Sequence, residues 1–246
     1  MTGKVYDYLI QFRRERGPGL LILLDPDRTD SETMIRRVKH AEASGAAGFL
    51  YGTSFLSGDR FEESLTAVKA ATELPVLLFP SNSRQLTATA DGVLLLSLLS
   101  SRNPQYLIGE HVVAAPIIKY LGLESIATGY LLISSGRVTT AEFMSGSPPI
   151  PRDKPELVVA HALAAEQLGM KLVYLEAGSG AELPVPPEAI ALVRREITLP
   201  LLVGGGINTT EKAQAAVKAG ADFIVIGTHF ERFGDGDLSA ILHSLQ

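Results

Sequence analysis

Two glycine-rich turns near the end of the sequence have the composition of a phosphate-binding site. Gly204, Gly205 and Gly206 follow the apolar run LLV, and Gly227 and Thr228 follow the apolar run FIVI. Glycines let backbone N–H groups approach phosphate oxygens, and the N-terminus of a following helix adds a favourable partial charge. One such turn would be explained equally well as a tight strand-to-helix connection. Because two occur in succession, they predict a phosphate site.

A third stretch, YLEAGSG at residues 174–180, combines a carboxylate with further backbone donors. Glu176 follows an apolar run, and a carboxylate at such a point can accept a proton or hold a hydroxyl. The following Ala-Gly-Ser-Gly stretch offers N–H groups and the Ser179 hydroxyl to an anion. A flexible loop with an exposed glutamate would have the same composition.

Oxygen ligands for a metal ion follow the first two apolar runs. The sequence DPD at 25–27 ends the first run, and YGTS at 51–54 ends the second. Mg²⁺ prefers oxygen ligands and keeps several of its waters, so carboxylates and hydroxyls suit it. Asp and Pro are also ordinary turn residues, so this spacing leaves the metal site and a plain turn both open. The five histidines show no close ligand spacing.

Eight short apolar runs must position these groups. Most of them lack polar alternation, as expected of parallel strands that are covered on both faces. The candidate strands are Leu20–Asp25, Ala47–Tyr51, Val76–Phe79, Val93–Ser97, Ser125–Ile133, Leu172–Glu176, Leu201–Val203 and Phe223–Ile226. Helical segments lie between most of them, for example Asp30–Ala43 after an acidic cap and Thr209–Ala219 before Gly220.

This alternation predicts an α/β protein, a (β/α)8 TIM barrel with a closed parallel sheet. The 246 residues suit one barrel domain over residues 1–246, because such barrels run to about 250 residues. A doubly wound open sheet is the alternative, but eight strands and the absence of GxGxxG after the first favour closure. The connection from Pro80 to Asp91 is short and polar, so the third helix is predicted to be reduced. Residues 135–151, rich in Pro, Gly and Ser, are predicted to be a loop inserted after strand five.

Composition excludes several classes of protein. A net charge of −5 gives no electrostatic reason to expect a nucleic-acid partner. Without cysteine there are no disulfides, thiolate metal sites or cysteine nucleophiles. The first sixteen residues are polar and charged, and no apolar run reaches the roughly 18 residues of a membrane span. We therefore expect a cytoplasmic protein.

Eight motifs in order resemble one known family. They are LLILLDPDR, YGTS, LFPSNSRQL, ADGVLLLSLLSSRNPQYLIGEH, AAPIIKYLGLESIATGYLLI, YLEAGSG, LLVGGGI and FIVIGTHFE. Together they resemble the geranylgeranylglyceryl phosphate synthase family, which also contains bacterial heptaprenylglyceryl phosphate synthases. The resemblance extends over residues 20–232, and YLEAGSG together with SLLSSRNP is its most specific part.

The resemblance implies a prenyltransferase. Its reaction joins the prenyl group of a prenyl diphosphate to the C3 hydroxyl of sn-glycerol 1-phosphate through an ether and releases diphosphate. It implies that Asp25 and Ser54 hold Mg²⁺ and that Glu176 is the catalytic base at the glycerol hydroxyl. The residues implied to bind glycerol 1-phosphate are Tyr174, Leu175, Glu176, Ala177, Gly178, Ser179, Gly180, Gly205, Gly206, Gly227 and Thr228.

One departure and one bulky residue bear on the substrates. Some branches of the family carry Lys two residues before the metal-binding Asp, where this sequence has Leu23. The glycine-rich loops must then hold the phosphate. A prenyl tail needs an apolar groove, which we expect around Val76–Phe79 and Tyr106. Tyr106 is large enough to stop the tail and so to favour geranylgeranyl diphosphate, but it also suits an ordinary helix position.

The inserted loop bears on assembly. Val138 and Phe143 place apolar side chains where water is expected, which indicates a subunit contact. We therefore expect a homo-oligomer, either a dimer or a hexamer. Because the implied product is a lipid, we also expect transient contact with a membrane surface.

Two other functions fit part of the pattern. Another barrel enzyme with the same phosphate loops, such as a sugar-phosphate isomerase or an indole-glycerol-phosphate-type synthase, needs different acid–base pairs at the strand ends. A barrel that binds glycerol phosphate or prenyl lipids without catalysis would not require both Asp25 and Glu176.

Overall fold

Eight parallel strands close into a barrel in the computed structural model, which describes residues 3–227 and 235–245. Each strand pairs in parallel with the next in sequence, and the last pairs with the first. The strands are β1 Gly19–Leu24, β2 Gly48–Tyr51, β3 Val76–Leu78, β4 Gly92–Leu98, β5 Glu124–Leu132, β6 Leu172–Glu176, β7 Leu201–Gly204 and β8 Phe223–Ile226. The predicted TIM barrel is therefore confirmed, and the open doubly wound sheet is excluded.

Helices surround this barrel. They are α1 Lys4–Arg16, α2 Ser31–Ala43, α3 Phe61–Lys69, α4 Glu110–Leu121, α5 Thr140–Ser145, α6 Pro155–Gln167, α7 Pro187–Glu196, α8 Thr210–Lys218 and α9 Asp235–Leu245. The predicted caps are present: the Asp30 side chain accepts from Thr33 N, and Thr209 accepts from Lys212 N. None of the helices in the described part of the chain is long and apolar enough to cross a membrane.

The connection between β3 and β4 contains a three-residue 3₁₀ turn, Ser83–Gln85, where the other connections carry α-helices. This confirms the predicted reduction of the third helix. β3 is also the shortest strand of the barrel, with three residues. A barrel strand normally has its outer face covered by the helix that follows it. Beside the reduced connection, Leu95 and Leu96 in the middle of β4 are only partly buried.

The N-terminal helix α1 is an element that the sequence pattern did not predict. Val5, Leu9 and Phe12 are its buried residues, and they join the apolar cluster inside the barrel. The Arg13 guanidinium lies 2.6 Å from a carboxylate oxygen of Asp222, the residue before β8, and this ion pair ties α1 to the barrel. The many charged residues of α1 hid this apolar stripe in the sequence. Because α1 packs at the amino end, substrates must approach from the carboxyl end.

Residues 135–151 fold back across that carboxyl end. The Thr139 side chain accepts from Glu142 N and begins α5, and Ile150 forms a parallel bridge with Ile133 just after β5. The Ser101 and Ser147 hydroxyls lie 2.5 Å apart, which joins the insertion to the segment after β4. The insertion is thus a wall of the carboxyl end rather than a loose loop.

Candidate active site

Glu176 is a buried carboxylate at the last position of β6. Its side chain points into the barrel, where the residue is 6% exposed. One carboxylate oxygen, Oε1, accepts the Gly178 N–H at 2.6 Å. Burial raises the pKa of Glu176, and the Tyr174 hydroxyl and the Gly178 amide partly oppose this. A carboxylate with a raised pKa at a strand end is suited to accept a proton from a bound hydroxyl.

An aromatic layer lies beneath this carboxylate. The Tyr130 and Tyr174 rings meet edge to face with centroids 5.3 Å apart, and Phe79 lies 5.9 Å from Tyr130 and 5.6 Å from Tyr174. Burial and the Glu176 charge hold the pKa of both tyrosines well above the usual value, so both stay neutral. The layer closes the bottom of the site and excludes water from below.

Gly204, the last residue of β7, keeps the space beside Glu176 open. A Cβ atom at this position would lie 2.5 Å from the Tyr174 hydroxyl and 2.8 Å from Glu176 Oε2. The Tyr174 hydroxyl makes no hydrogen bond of standard geometry within the described residues. Two polar oxygens therefore face the same small space, where a substrate hydroxyl could meet both.

The glycine-rich turns after β6 and β7 approach each other closely. Gly205 has φ +80°, and a Cβ there would lie 2.7 Å from the Gly178 N. Only glycine fits both the backbone conformation and this approach. Within the described residues, the Gly180, Gly205 and Gly206 N–H groups donate no hydrogen bond. Backbone N–H groups that converge in this way favour an anion.

Most of the residues predicted to bind glycerol 1-phosphate meet in one pocket, which we call the glycine-loop pocket. Its walls include Tyr174, Glu176, Gly178, Ser179, Gly180, Gly205, Gly206 and Gly227. Leu175 and Ala177 are instead buried in the apolar layer between the strands and the outer helices. Side chains alternate between the two faces of a strand, so these two can offer only backbone groups. Thr228 lies outside the described residues.

Asp25 lies beside the second group of predicted residues. Its Oδ1 accepts the Asp27 N–H at 3.0 Å, and its Oδ2 accepts the Thr53 hydroxyl at 3.2 Å. The Arg28 guanidinium Nε is also 3.2 Å from Oδ2. Burial raises the pKa of Asp25, while these partners oppose the rise. Ser54, the other predicted ligand, follows Thr53 and lines the glycine-loop pocket.

The second carboxylate of the DPD motif does not join this site. Asp27 accepts the Ser57 N–H at 2.8 Å and the Gly58 N–H at 3.1 Å, and so it shapes the loop after β2. No group of three histidine or acidic side chains suited to a metal occurs in the described residues. One carboxylate and one hydroxyl fit Mg²⁺ when substrate phosphates supply further oxygens, which is the common form of a Mg²⁺ site.

An apolar groove extends from the same rim to the region left open by the reduced third connection. It encloses about 280 Å³, and its walls include Leu86, Val93, Leu95 and Tyr106. The groove and the glycine-loop pocket share four residues, and these are Ser54, Phe79, Tyr130 and Ala141. The two pockets are therefore neighbours at the rim, and the predicted position of an apolar groove agrees with this geometry.

Tyr106 and the insertion form the far wall of the groove. Tyr106 lies in a π-helical turn, Gln105–Gly109, and its hydroxyl donates to the Met144 carbonyl at 3.1 Å. Met144 also lines the groove, while Ala141 reaches both pockets. The insertion was predicted, but its place in both pockets was not, because the sequence carries no signal for it.

Two further features of the site escaped the sequence pattern. The sequence pattern placed Phe79 beside the expected groove but missed Tyr130, whose inward position on β5 strand alternation could have shown. Arg137 could not, because an exposed arginine in a loop has no distinctive spacing. Its guanidinium donates to the Gly180 carbonyl and so braces the glycine-rich turn from outside.

Comparison with known proteins agrees with this geometry. Residues 10–245 match the model of the PcrB family. The chain belongs to the PcrB family. It is 42% identical over 229 residues to a geranylgeranylglyceryl phosphate synthase from Spirosoma linguale, covering 93% of this chain and 90% of that protein. It is 45% identical over 214 residues to the protein of that name from Thermococcus gammatolerans, covering 87% and 84% respectively.

A solved structure of a relative has the same fold. The (S)-3-O-geranylgeranylglyceryl phosphate synthase from Thermoplasma acidophilum, in complex with its substrate sn-glycerol-1-phosphate, superposes with a TM-score of 0.92. The two chains are 34% identical, and the match covers 98% of each. This relative therefore shares the barrel fold of the chain.

The position of Glu176 leads to a prediction. Glu176→Gln keeps the shape of the side chain but removes its capacity to accept a proton, so turnover in prenyl transfer should fall about 100-fold or more. In the unmutated protein the rate should rise with pH toward the raised pKa of Glu176, because the base must be ionised.

Glu182→Gln is the matched control, since Glu182 is an exposed carboxylate in the same connection. Steady-state rates of the two variants, with sn-glycerol 1-phosphate binding measured separately, give the comparison. Near-normal turnover in Glu176→Gln would remove this residue from the mechanism.

Proposed function

We propose that the chain transfers a prenyl group from a prenyl diphosphate to the C3 hydroxyl of sn-glycerol 1-phosphate. Geranylgeranyl diphosphate is the donor that we favour. The observation that carries the proposal is a glycine-lined pocket around Glu176 that shares four wall residues with a neighbouring apolar groove. One compartment suits a small phosphorylated alcohol and the other suits a long apolar tail. The names of the relatives and the bound ligand of one of them support the same substrates.

The residues suggest how the bond is made. The free N–H groups of the glycine-rich turns hold the phosphate, which directs the glycerol C3 hydroxyl toward Glu176. As the carbon–oxygen bond to diphosphate breaks, the allylic carbon gains positive character. The glycerol oxygen attacks that carbon, and its proton passes to the Glu176 carboxylate. The products are the ether and free diphosphate.

The leaving group needs its charge neutralised. We propose that Asp25 and Ser54 hold Mg²⁺ together with the diphosphate oxygens. When bound, the ion supplies positive charge for the developing diphosphate. Arg28, 3.2 Å from Asp25, places a further cation at the same rim. Asp25 and Glu176 thus serve opposite ends of the reacting pair, since one faces the leaving group and the other faces the nucleophile.

The rival functions are less well supported. A sugar-phosphate isomerase would need an acid–base pair near the phosphate, whereas among the described residues Glu176 is the one acidic side chain lining the glycine-loop pocket. An apolar groove has no use in such an enzyme. A binder without catalysis would have no reason to bury an ionisable carboxylate beside two converging N–H loops, since burial of a charge costs free energy.

Incubation with labelled sn-glycerol 1-phosphate, geranylgeranyl diphosphate and Mg²⁺ tests the proposal. We expect an ether-linked lipid phosphate and stoichiometric diphosphate, with activity lost in EDTA and restored by Mg²⁺. Asp25→Asn should need a higher Mg²⁺ concentration for half-maximal rate, because one ligand charge is lost. No ether product would overturn the assignment, and full activity in EDTA would overturn only the metal.

Tail length follows from the size of the groove. Each buried CH₂ contributes about 0.8 kcal/mol, so four isoprene units gain on the order of 10 kcal/mol before ordering costs. A groove of fixed length then discriminates by steric closure. Tyr106 lines the groove and is fixed by its hydrogen bond to the Met144 carbonyl, as a closing residue should be.

If Tyr106 closes the groove, Tyr106→Ala should let C35 donors react while the C20 rate stays nearly unchanged. Tyr106→Phe keeps the ring and loses only the hydrogen bond, so it should retain the C20 preference. Both donors are assayed side by side with each variant. An unaltered preference in Tyr106→Ala would place the stop elsewhere.

We also propose that the protein is a homo-oligomer. Phe143 is 78% exposed and Val138 is 65% exposed, and both lie on the outer surface of the insertion. Large apolar side chains that face water on an ordered wall are typical of an interface, where aromatic residues provide much of the contact energy. Because α5 also lines both pockets, assembly would support the site from outside.

Phe143→Ala should lower the assembly order, because the anchoring side chain is lost. Sedimentation velocity of the variant and the unmutated protein measures this directly. Leu168→Ala, which removes a similarly exposed apolar side chain after α6, is the control and should leave assembly unchanged. A monomeric unmutated protein would contradict the proposal.

A further inference from the structure

Beside the reduced third connection, the backbone N–H and C=O of Thr53 need hydrogen-bond partners that no neighbouring strand provides. Thr53 follows β2 and is 9% exposed, so its backbone N–H and C=O are shielded from water. β3 ends at Leu78, and within the described residues no backbone hydrogen bond joins Thr53 to the chain that follows β3. Buried backbone donors and acceptors are almost always paired, because an unpaired one costs free energy.

The side chain of Gln85 solves this problem. Its Oε1 accepts the Thr53 N–H at 3.3 Å, and its Nε2 donates to the Thr53 carbonyl at 2.9 Å. The second hydrogen of the amide goes to the Ser81 hydroxyl at 2.8 Å. Gln85 has no exposed surface at all. One side-chain amide therefore pairs with both backbone groups of Thr53, as a neighbouring strand would.

What Gln85 holds is the rim that we assign to the diphosphate. The Thr53 hydroxyl donates to Asp25 Oδ2 at 3.2 Å, and the next residue, Ser54, lines both pockets. The preceding residue, Gly52, packs tightly against the backbone of Phe79, since a Cβ at Gly52 would lie 2.8 Å from the Phe79 carbonyl carbon. Gln85 thus fixes the segment that carries one predicted ligand and orients the other.

The turn that carries Gln85 also forms part of the groove. Asn82, Ser83 and Leu86 line it, on either side of the buried glutamine. A displacement of this turn would therefore move the groove wall and the Asp25 rim together. Neither Gln85 nor its turn contacts the glycine-rich loops around Glu176 in the hydrogen bonds of the described residues.

We propose that Gln85 is a positioning residue for the diphosphate end of the prenyl donor. It acts through the Thr53 backbone on Ser54 and Asp25, and within the described residues it makes no hydrogen bond to the glycine-rich loops at the glycerol 1-phosphate end. This inference rests on the proposed function, since it takes the Asp25 rim to be the diphosphate subsite. A substitution of Gln85 should therefore weaken the binding of diphosphate and not that of sn-glycerol 1-phosphate.

Binding to the full-length protein tests this without turnover. Isothermal calorimetry measures the affinity for inorganic diphosphate with Mg²⁺, and separately for sn-glycerol 1-phosphate. Gln85→Met has a similar length but no hydrogen-bonding groups, so diphosphate affinity should fall about tenfold, as expected when a buried backbone pair loses its partner. Affinity for sn-glycerol 1-phosphate should stay within about twofold, which is the scatter expected when a remote site is unaffected.

Two further variants separate positioning from folding. Thr128→Val removes a hydroxyl that is just as buried, but in β5, where it donates to the Ile126 carbonyl at 2.9 Å. It should leave both affinities unchanged while lowering the melting temperature. Ser81→Ala removes only one contact of Gln85 and should weaken diphosphate binding by a smaller factor, which keeps the test usable if Gln85→Met does not fold.

The outcomes are distinguishable. Equal diphosphate affinity in the unmutated protein, Gln85→Met and Ser81→Ala would overturn the positioning role, and so would an equal loss for both ligands. An unmutated protein that binds sn-glycerol 1-phosphate but no diphosphate would instead overturn the assignment of the Asp25 rim. A steady-state assay adds a second check: Gln85→Met should raise the KM for prenyl diphosphate and leave that for sn-glycerol 1-phosphate unchanged.

Discussion

The pairing of backbone N–H and C=O groups at the carboxyl end of the barrel governs the rest of this structure. Closure of eight parallel strands pairs nearly all of these groups within the barrel wall, but each strand must end at the rim, where the ladder stops. At the ends of β6 and β7 the unpaired N–H groups face a pocket and are available to an anion. At the end of β2 they are buried, and a side chain pairs them. The same constraint thus produces a binding site at one side of the rim and a fixed support at the other.

The absence of an α-helix between β3 and β4 makes room for an apolar groove, and it also removes cover from the end of β2. Without a helix after β3, apolar side chains such as Val93 and Leu95 line a groove. The same loss leaves the end of β2 without the covering that a full connection would provide. The short turn offsets this by burying Gln85 against Thr53. Part of the groove wall and the buried Gln85 therefore lie in one segment of eight residues, 79–86.

The features that could be predicted from the sequence are those that depend on neighbouring residues in the chain. Eight apolar runs gave the strands, capping residues such as Asp30 and Thr209 gave helix starts, and glycines gave the turns that hold N–H groups free. The position of Glu176 followed from the same logic, because a polar residue at the end of a buried strand must face the rim. The resemblance to a family then supplied the substrates, which no spacing of residues could give.

What the sequence did not predict depends on contacts between distant segments. Helix α1 has only three buried residues, and its role at the amino end becomes visible through the ion pair with Asp222, more than two hundred residues away. Leu175 and Ala177 were grouped with the binding residues because they lie inside the motif, although strand alternation turns them outward. Gln85 looked like one polar residue among several in a loop, and only burial distinguishes it.

The arrangement of charge explains why the two substrates need separate ends. A carboxylate that accepts a proton and a rim that neutralises diphosphate would weaken each other if they were adjacent, because the cation would lower the pKa of the base. Here the rings of Phe79 and Tyr130 line both pockets. These neutral rings keep water out of the junction and hold the dielectric low, which strengthens the attraction between a developing allylic cation and the charges on either side. Their faces also carry negative potential toward such a cation. The bond is therefore expected to form over the aromatic layer, where neither carboxylate contacts the reacting carbon directly.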